Sequence, residues 1–556
     1  MKNHFQNNLF VLFFKMAFLL VLFDIATAAE VNFSSFGGKT SDNYDNSAAF
    51  EKAFAFAEKN PNTTILLDRG IYRVGNIAYK GNGINSILHI KNTNNLTIKG
   101  ANTEILFTNS AGGIFAEQNK HLTIDGIAFD YDPVPFNQGV VRKILGNESI
   151  LVSVDSGFIG HESQYFYDEK KARHSSWLMF FDENNNLITS AAPKVIESKR
   201  LSNSYLLYLD KTGVQLIKKS MIKPGHRYVR TIRDWGHLFR FHFSDDTVLN
   251  NITIHSASEF AGLFAYSSNV TIYNSKISKK PFTNRLISTS ADGWHFTGAR
   301  IGPRITNSIF ENQADDSIVI SVRGSMIEAI EDCKTLILRP ANPIFYEKGD
   351  IIEVIDIKNN KKYKSTVAGA IPKGAFPSLS YKLSLTQCIP SEVFGNNDWQ
   401  SNLLVFNRSQ ACNGAVVKGN LFKYIRARAI LAHGTNITIS NNTFSYIGGA
   451  AIAGGILAKL PMAEYSDGYW AYAPSENIEI SGNRIDHALN WGKGWGYKAS
   501  ISFDSTWANE KDGSINASFD SISVINNVIS GLPSNKKGIY ISQGANSKIT
   551  NNIVMQ

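Results

Sequence analysis

Short runs of alternating apolar and polar residues recur along this chain, each entered and left through Asn, Ser, Asp or Gly. NNLTIKG (94–100), KHLTIDG (120–126), NNITIHS (250–256), SNVTIYN (268–274), TNITISN (435–441), ENIEISG (476–482), DSISVIN (520–526) and NSKITNN (546–552) are the clearest. Alternation over a β-branched run predicts a strand, and the polar flanks are turn chemistry. Where copies follow one another without interruption the spacing is short: 18 residues from Ile252 to Val270, 21 from Val416 to Ile437 and 26 from Leu96 to Leu122. Such a period, with one or more short strands per unit, predicts a right-handed parallel β-helix. A leucine-rich repeat of similar period would need the LxxLxLxxN pattern, which is missing. The many N-x-T and N-x-S triplets follow from this consensus and read as turn residues rather than glycan sites.

The pattern is silent in two places. Residues 131–237 (with PVPFNQGVVRKILGNESILVSVDSGF) and 322–405 (with KTLILRPANPIFYEKGDIIEVIDIKNNKKYKSTVAGAI) carry alternating strands joined by NN, KNNKK and GN turns. Both predict antiparallel, β-barrel-like insertions. They leave solenoid coils at 29–130, 238–321 and 406–556. Near the start, SDNYDNSAAFEKAFAFAEKN has helical spacing behind a Ser/Asp cap and predicts a helix covering the open end of the solenoid.

The first 28 residues differ from all of this. Lys2 stands in a short polar opening, LFVLFFKMAFLLVLF is an apolar core, and Ala26-Thr27-Ala28 offers the small-x-small pattern of signal-peptidase cleavage. The run is too short to read as a membrane span. The expected mature protein is therefore exported, periplasmic or extracellular, and bacterial. The formal net charge of the whole chain is +9, spread along the sequence with no basic block. That excludes a nucleic-acid arm and is compatible with an anionic glycan partner. Three cysteines, Cys333, Cys388 and Cys412, do not make a disulfide scaffold. One pair, between Cys333 and Cys388, is open to formation, and no zinc spacing occurs.

Candidate chemistry lies in ADGWHFTGARIGPRITNSIFENQADDS (291–317). Asp292 precedes Asp315 and Asp316 by 23 and 24 residues, about one coil. Residues one coil apart lie above one another at strand separation, so the three carboxylates should meet on adjacent rungs. Alternation through ADGWHF places Asp292, Trp294 and Phe296 on one face and His295 on the other, as a core histidine. Asp315 and Asp316 share a cleft only if a bend breaks the alternation between them. Crowded carboxylates keep a proton above its usual range, which supplies an acid and a base together, as glycosidic cleavage requires. Two other readings of Asp residues bear on this. Asp245-Asp246 reads as a turn pair at a coil entry, and three carboxylates could alternatively hold calcium, although no DxDxDG-like spacing supports that.

SADGWHF followed one coil later by QADDS resembles the three-Asp arrangement of inverting β-helix glycosidases, and its layout is most similar to glycoside hydrolase family 110, the α-1,3-galactosidases. FDYDPVPFNQGVV, SASEFAGLFAYSSNVTIYN, FKYIRARAILAHG and the aromatic SDGYWAY region add to the likeness. It implies a β-helix interrupted by barrel-like insertions, Asp315 as the acid, and Asp292 and Asp316 as the pair holding water. Two departures stand out: the stretch after the Asp pair is SIVISVRG, with Arg323 where an HGT-like His is expected, and the GHG and RIK signatures of polygalacturonases are absent.

Further candidates for sugar contact are Trp294, beside the first Asp, and Arg323, which would either suit a sulfated or acidic sugar or serve as a salt-bridged turn residue. Arg426 and Arg428 share one strand face in YIRARAI and would either pair with the carboxylates or grip hydroxyls. Glu464 and Trp470, in AEYSDGYWAYAP, and Trp491 and Trp495 lie in loop-like text that suits ring stacking. The leading expectation is an exported, exo-acting hydrolase of terminal α-galactose on an oligo- or polysaccharide, working by single displacement without cofactor or metal. A calcium-dependent polysaccharide lyase and a non-catalytic glycan-binding solenoid are the alternatives.

Overall fold

The computed structural model describes residues 29–555 apart from 82, 167–175, 233–235, 341–344, 357–360, 375–379, 395–402, 456, 460–469, 492–495, 505–518 and 543. The expected signal peptide lies outside the described residues. The chain winds as a parallel β-helix. One face of the solenoid is an eleven-stranded sheet. Its strands are β1 (Tyr79–Gly81), β2 (Ile84–Lys91), β3 (Gly112–Glu117), β4 (Phe239–His242), β5 (Gly262–Ala265), β6 (Trp294–Thr297), β7 (Ile318–Ser321), β8 (Ile430–His433), β9 (Ile452–Gly455), β10 (Ala499–Asp504) and β11 (Lys537–Ile541). All neighbours pair in parallel except β1 with β2.

The other strands turn a corner at a residue held in the left-handed region, an Asn at Asn251, Asn274, Asn307, Asn441 and Asn526 and a Gly at Gly126, Gly419 and Gly482. Asn tolerates that conformation better than other residues with a side chain, which is why the repeat consensus carries it. A second set of asparagines points inward as a ladder: Asn420, Asn442, Asn483, Asn527 and Asn552 each pass an amide hydrogen bond to the next at 2.9–3.0 Å. Apolar columns fill the rest of the interior. Phe241, Phe264 and Phe296 stack at 4.7 Å, and Phe310, Phe422 and Phe444 at 4.8 Å.

Helix α1 (Ser47–Lys59) closes the N-terminal end, burying Phe50, Ala53, Phe54 and Ala57 against Phe33 and Tyr72. Its first turn is held by Asp45, whose Oδ1 accepts from the Ser47 amide at 2.8 Å. The solenoid resumes in register after each insertion: β3 pairs directly with β4, and Arg304–Thr306 with Val416–Lys418. The later insertion is a closed six-stranded barrel running from Gly324 to Asn407. Cys333 and Cys388 form a disulfide within it, and Cys412 is a buried thiol. The earlier insertion is a six-stranded antiparallel sheet. Its two outer strands, Leu178–Phe181 and Val195–Leu201, meet through a bridge between Trp177 and Lys194, with the Leu178 amide donating to the Pro193 carbonyl at 2.7 Å. Leu216 and Ile217 of the helix Lys211–Lys218 pack on the apolar face of Val141, Ile150, Leu207 and Tyr228. Among the described residues no helix is long and apolar enough to cross a membrane.

Candidate active site

The pairing Phe239↔Gly262↔Trp294↔Ile318↔Ile430 fixes what stands in line just before these strands. Two residues earlier the same row reads His237, Phe260, Asp292, Asp316 and Arg428. Asp292 and Asp316 are therefore on adjacent rungs, and Asp315 reaches the same place from the bend 312–317 that precedes β7. One carboxylate oxygen from each of the three lies within 4.8 Å of the others. Gly293 makes this approach possible, because a Cβ there would come within 2.4 Å of the Ser317 carbonyl oxygen. The rungs are laced by Gly293 N to Asp316 O and Trp294 N to Ser317 O, both 2.8 Å. Asp245 and Asp246 behave as a turn pair: their Oδ1 atoms accept from Ser268 N and Asn269 Nδ2 one rung on.

Each carboxylate has a different setting. Asp316 is buried, and Arg428 surrounds it: Oδ1 accepts from the Arg428 amide at 2.9 Å and Nε at 2.6 Å, and Oδ2 accepts from Nη2 at 2.5 Å. Burial, with Asp315 and Asp292 beside it, pushes the Asp316 carboxyl up to about 6 against the pull of Arg428. Arg428 is itself held by Tyr497, whose Oη lies 3.1 Å from Nη1. Asp292 Oδ2 lies 3.0 Å from His295 Nδ1. Burial first, then Arg323, push His295 down to about 3, so its ring is neutral and Nδ1 carries the hydrogen donated to Asp292. Asp315 is the most open of the three, and Arg426 Nη2 lies 3.4 Å from its Oδ1.

The structure corrects several expectations. The strand begins at Trp294, so its alternation does not extend back to Asp292. Trp294 is turned into the solenoid, stacked on Phe239 at 6.2 Å, and is not placed to touch a sugar. His295, expected in the core, is instead the residue that faces outward with Asp292. Arg426 and Arg428 serve the protein rather than projecting into a cleft. Arg426 donates to the Ala314 and Ser190 carbonyls and lies 5.0 Å over the Trp177 ring. Trp491 is buried against the earlier insertion. Glu464, Trp495 and the Trp470 side chain lie outside the described residues. Arg323 sits where β7 ends, its guanidinium 5.8 Å over the Tyr472 ring and close enough to influence His295. Tyr497 and Gly293 carried no signal beyond their local text, since each acts through a residue far away in sequence.

A cavity of about 410 Å³ opens against Asn312 and Gln313 of the bend, lined also by Phe181, Asn185, Lys279, Glu311, Tyr424 and Trp491; it contains none of the three carboxylates. The three oxygens also have spacing that could hold a cation. Two of the three carboxylates already face guanidinium groups, which compete with an ion for the same lone pairs.

No family model matches the sequence. The chain is similar to alpha-1,3-galactosidase A of Shewanella woodyi, 22% identical over 511 residues, covering 83% of this chain and 77% of that protein. It is also similar to alpha-1,3-galactosidase B of Bacteroides thetaiotaomicron, 22% identical over 468 residues, covering 79% and 74%. Among solved structures, the family 28 exopolygalacturonase of Yersinia enterocolitica aligns over 95% of this chain and 76% of its own, with TM-score 0.44 and 11% identity. A polygalacturonase from Erwinia carotovora aligns over 95% and 94%, with TM-score 0.38 and 9% identity.

Proposed function

We propose that this chain is an exported glycoside hydrolase that removes terminal α-1,3-linked galactose by single displacement, with Asp315 as acid and Asp292 and Asp316 holding the attacking water. The observation that carries the reading is the meeting of three carboxylates with three different neighbourhoods. Both oxygens of Asp316 accept hydrogen bonds from Arg428, and Asp292 lies 3.0 Å from His295, which suits these two to holding water. Asp315, the more open group, is the one placed to pass a proton to the leaving oxygen. Asp316 and Asp292, one rung apart, would polarise water together. The names of the similar proteins support the choice of sugar and linkage.

A second reading rests on one distance. Separations of roughly 6.5–9.5 Å between acid and base mark inverting enzymes and about 5–5.5 Å mark retaining ones. Oxygens within 4.8 Å fit the shorter class and a covalent intermediate better. Against it, the lone pairs of Asp316 that an attack would use are occupied by guanidinium and amide donors. Proton NMR of the first sugar released from α-1,3-galactobiose decides between them. The β-anomer is expected; initial release of the α-anomer would replace single displacement with a glycosyl-enzyme, and absence of turnover on any α-galactoside would remove the reading.

A further inference from the structure

The outer face of the sheet continues past Asp292 toward the N-terminal coils, and a second pocket of about 280 Å³ opens there. Gly83, Gly112 and Gly236 give it a bare backbone floor, and His237, Arg240 and Glu259 form its polar wall. A side chain at Gly112 would meet the Asn85 and His237 carbonyl oxygens at 2.9 and 3.1 Å, so the floor stays open. His237 is two rungs from Asp292, roughly 10 Å at the usual strand separation. A ring stack bridges the gap: His237 on Phe260 at 4.4 Å and Phe260 on His295 at 5.2 Å. Pocket and carboxylates thus lie along one face of the sheet.

Arg240 is the unusual member. Glu259 Oε2 lies 3.3 Å from His237 Nδ1. The Arg240 guanidinium makes no hydrogen bond or ion pair among the described residues, and burial holds it below the ordinary arginine range. Its charged or titratable neighbours are Glu259, through space, and His242, which burial and Arg240 together push down to about 4. A partly desolvated cation that no described residue pairs with is costly, and a planar fork of donors matches a planar or tetrahedral oxyanion.

We propose that this pocket receives the sugar next to the one cleaved, and that Arg240 recognises an anionic substituent on it, a sulfate ester or a carboxylate. The inference rests on the glycosidase reading for its placement of the scissile bond, and on the pocket alone for its chemistry. Hydroxyls of that sugar would meet Glu259 and His237.

The test compares three disaccharides with the same terminal α-1,3-galactose and a second sugar that is neutral galactose, sulfated galactose or galacturonic acid. At low salt, kcat/KM for at least one anionic substrate should exceed the neutral one about tenfold or more, and the arm that wins identifies the oxyanion. In Arg240→Gln that ratio should collapse toward one, and Arg240→Lys, which keeps the charge without the fork, should retain part of it. Equal rates on all three in the wild type, or a preference that survives Arg240→Gln, would overturn the proposal while leaving the glycosidase reading intact. Calorimetric titration of the same sugars separates the opposite case. Arg240-dependent binding of an anionic sugar without any turnover would keep the pocket and remove the reading on which its placement depends.

Discussion

Asp316 is the residue on which the chemistry of the site turns, because opposing influences meet on one carboxyl. Burial and two like charges raise it; the Arg428 fork lowers it; the outcome is about 6. A base must be ionised, so kcat/KM should fall as pH drops through about 6 and be full above it. Asp315→Asn removes the proposed acid without changing the charge of the competent form. Turnover of galactobiose should then fall by about 10² to 10⁴, the usual worth of a positioned acid. An aryl galactoside with a good leaving group should lose far less, and the acidic limb measured with it should stay at about 6. A limb that vanishes in this variant would assign it to Asp315 instead. Arg428 is read the same way. Arg428→Gln leaves a buried carboxylate without its cation, a loss of roughly 3–5 kcal/mol. Of these roles only the Asp set was visible in the sequence, through its one-coil spacing. Arg428 stands 112 residues from Asp316, beyond the barrel insertion, and nothing local marks the pair.

At the scale of the element, the repeat was readable because its cause is local. Asn at the left-handed corners and β-branched residues between them are imposed by backbone sterics within each coil, and each coil repeats the problem. What alternation could not supply was where a strand begins. Counting back from Phe296 through Trp294 assigns Asp292 to the interior face, but the backbone bends at Gly293, and His295 emerges on the Asp292 side. The inward asparagine ladder was likewise hidden, since its members look like ordinary turn residues in text. Each of the first four ladder amides donates to the next Asn and to a backbone carbonyl; Asn442, for example, also donates to Val417 O at 2.9 Å. Asn442→Ala would leave buried groups of Asn420 and Val417 unmatched, so a loss of about 2–4 kcal/mol is expected, with little change in KM. Thermal unfolding compared with kinetics at 25 °C checks this. A loss below roughly 0.5 kcal/mol would mean that water replaces the amide.

For the whole molecule, the decisive feature is that the outer face of this sheet is covered on one side of the carboxylates. Beyond β7 the outward residues Val319, Leu431 and Ala453 are covered by Tyr472, Leu489 and Tyr497 in one apolar cluster. Tyr472 is brought there by the strand Trp470–Tyr472, which bridges to Arg323 at the mouth of the barrel insertion. Toward β4 and β3 the same face opens into the pocket of Arg240. Under the proposed function, a polysaccharide lying along this face would place its terminus against that wall, with the remaining chain leaving over the N-terminal coils. The expected exo action rested on resemblance alone, and the covered end would favour it through segments contributed by distant parts of the chain. On this geometry a galactan digest should release monosaccharide from the first minutes, with viscosity nearly unchanged while reducing ends accumulate. Early oligosaccharides, or a rapid fall in viscosity, would mean that the covering strand moves aside. Tyr472→Ala tests the wall itself: removing the ring should admit internal positions of the chain and let short oligosaccharides appear, while the carboxylates and their donors remain in place.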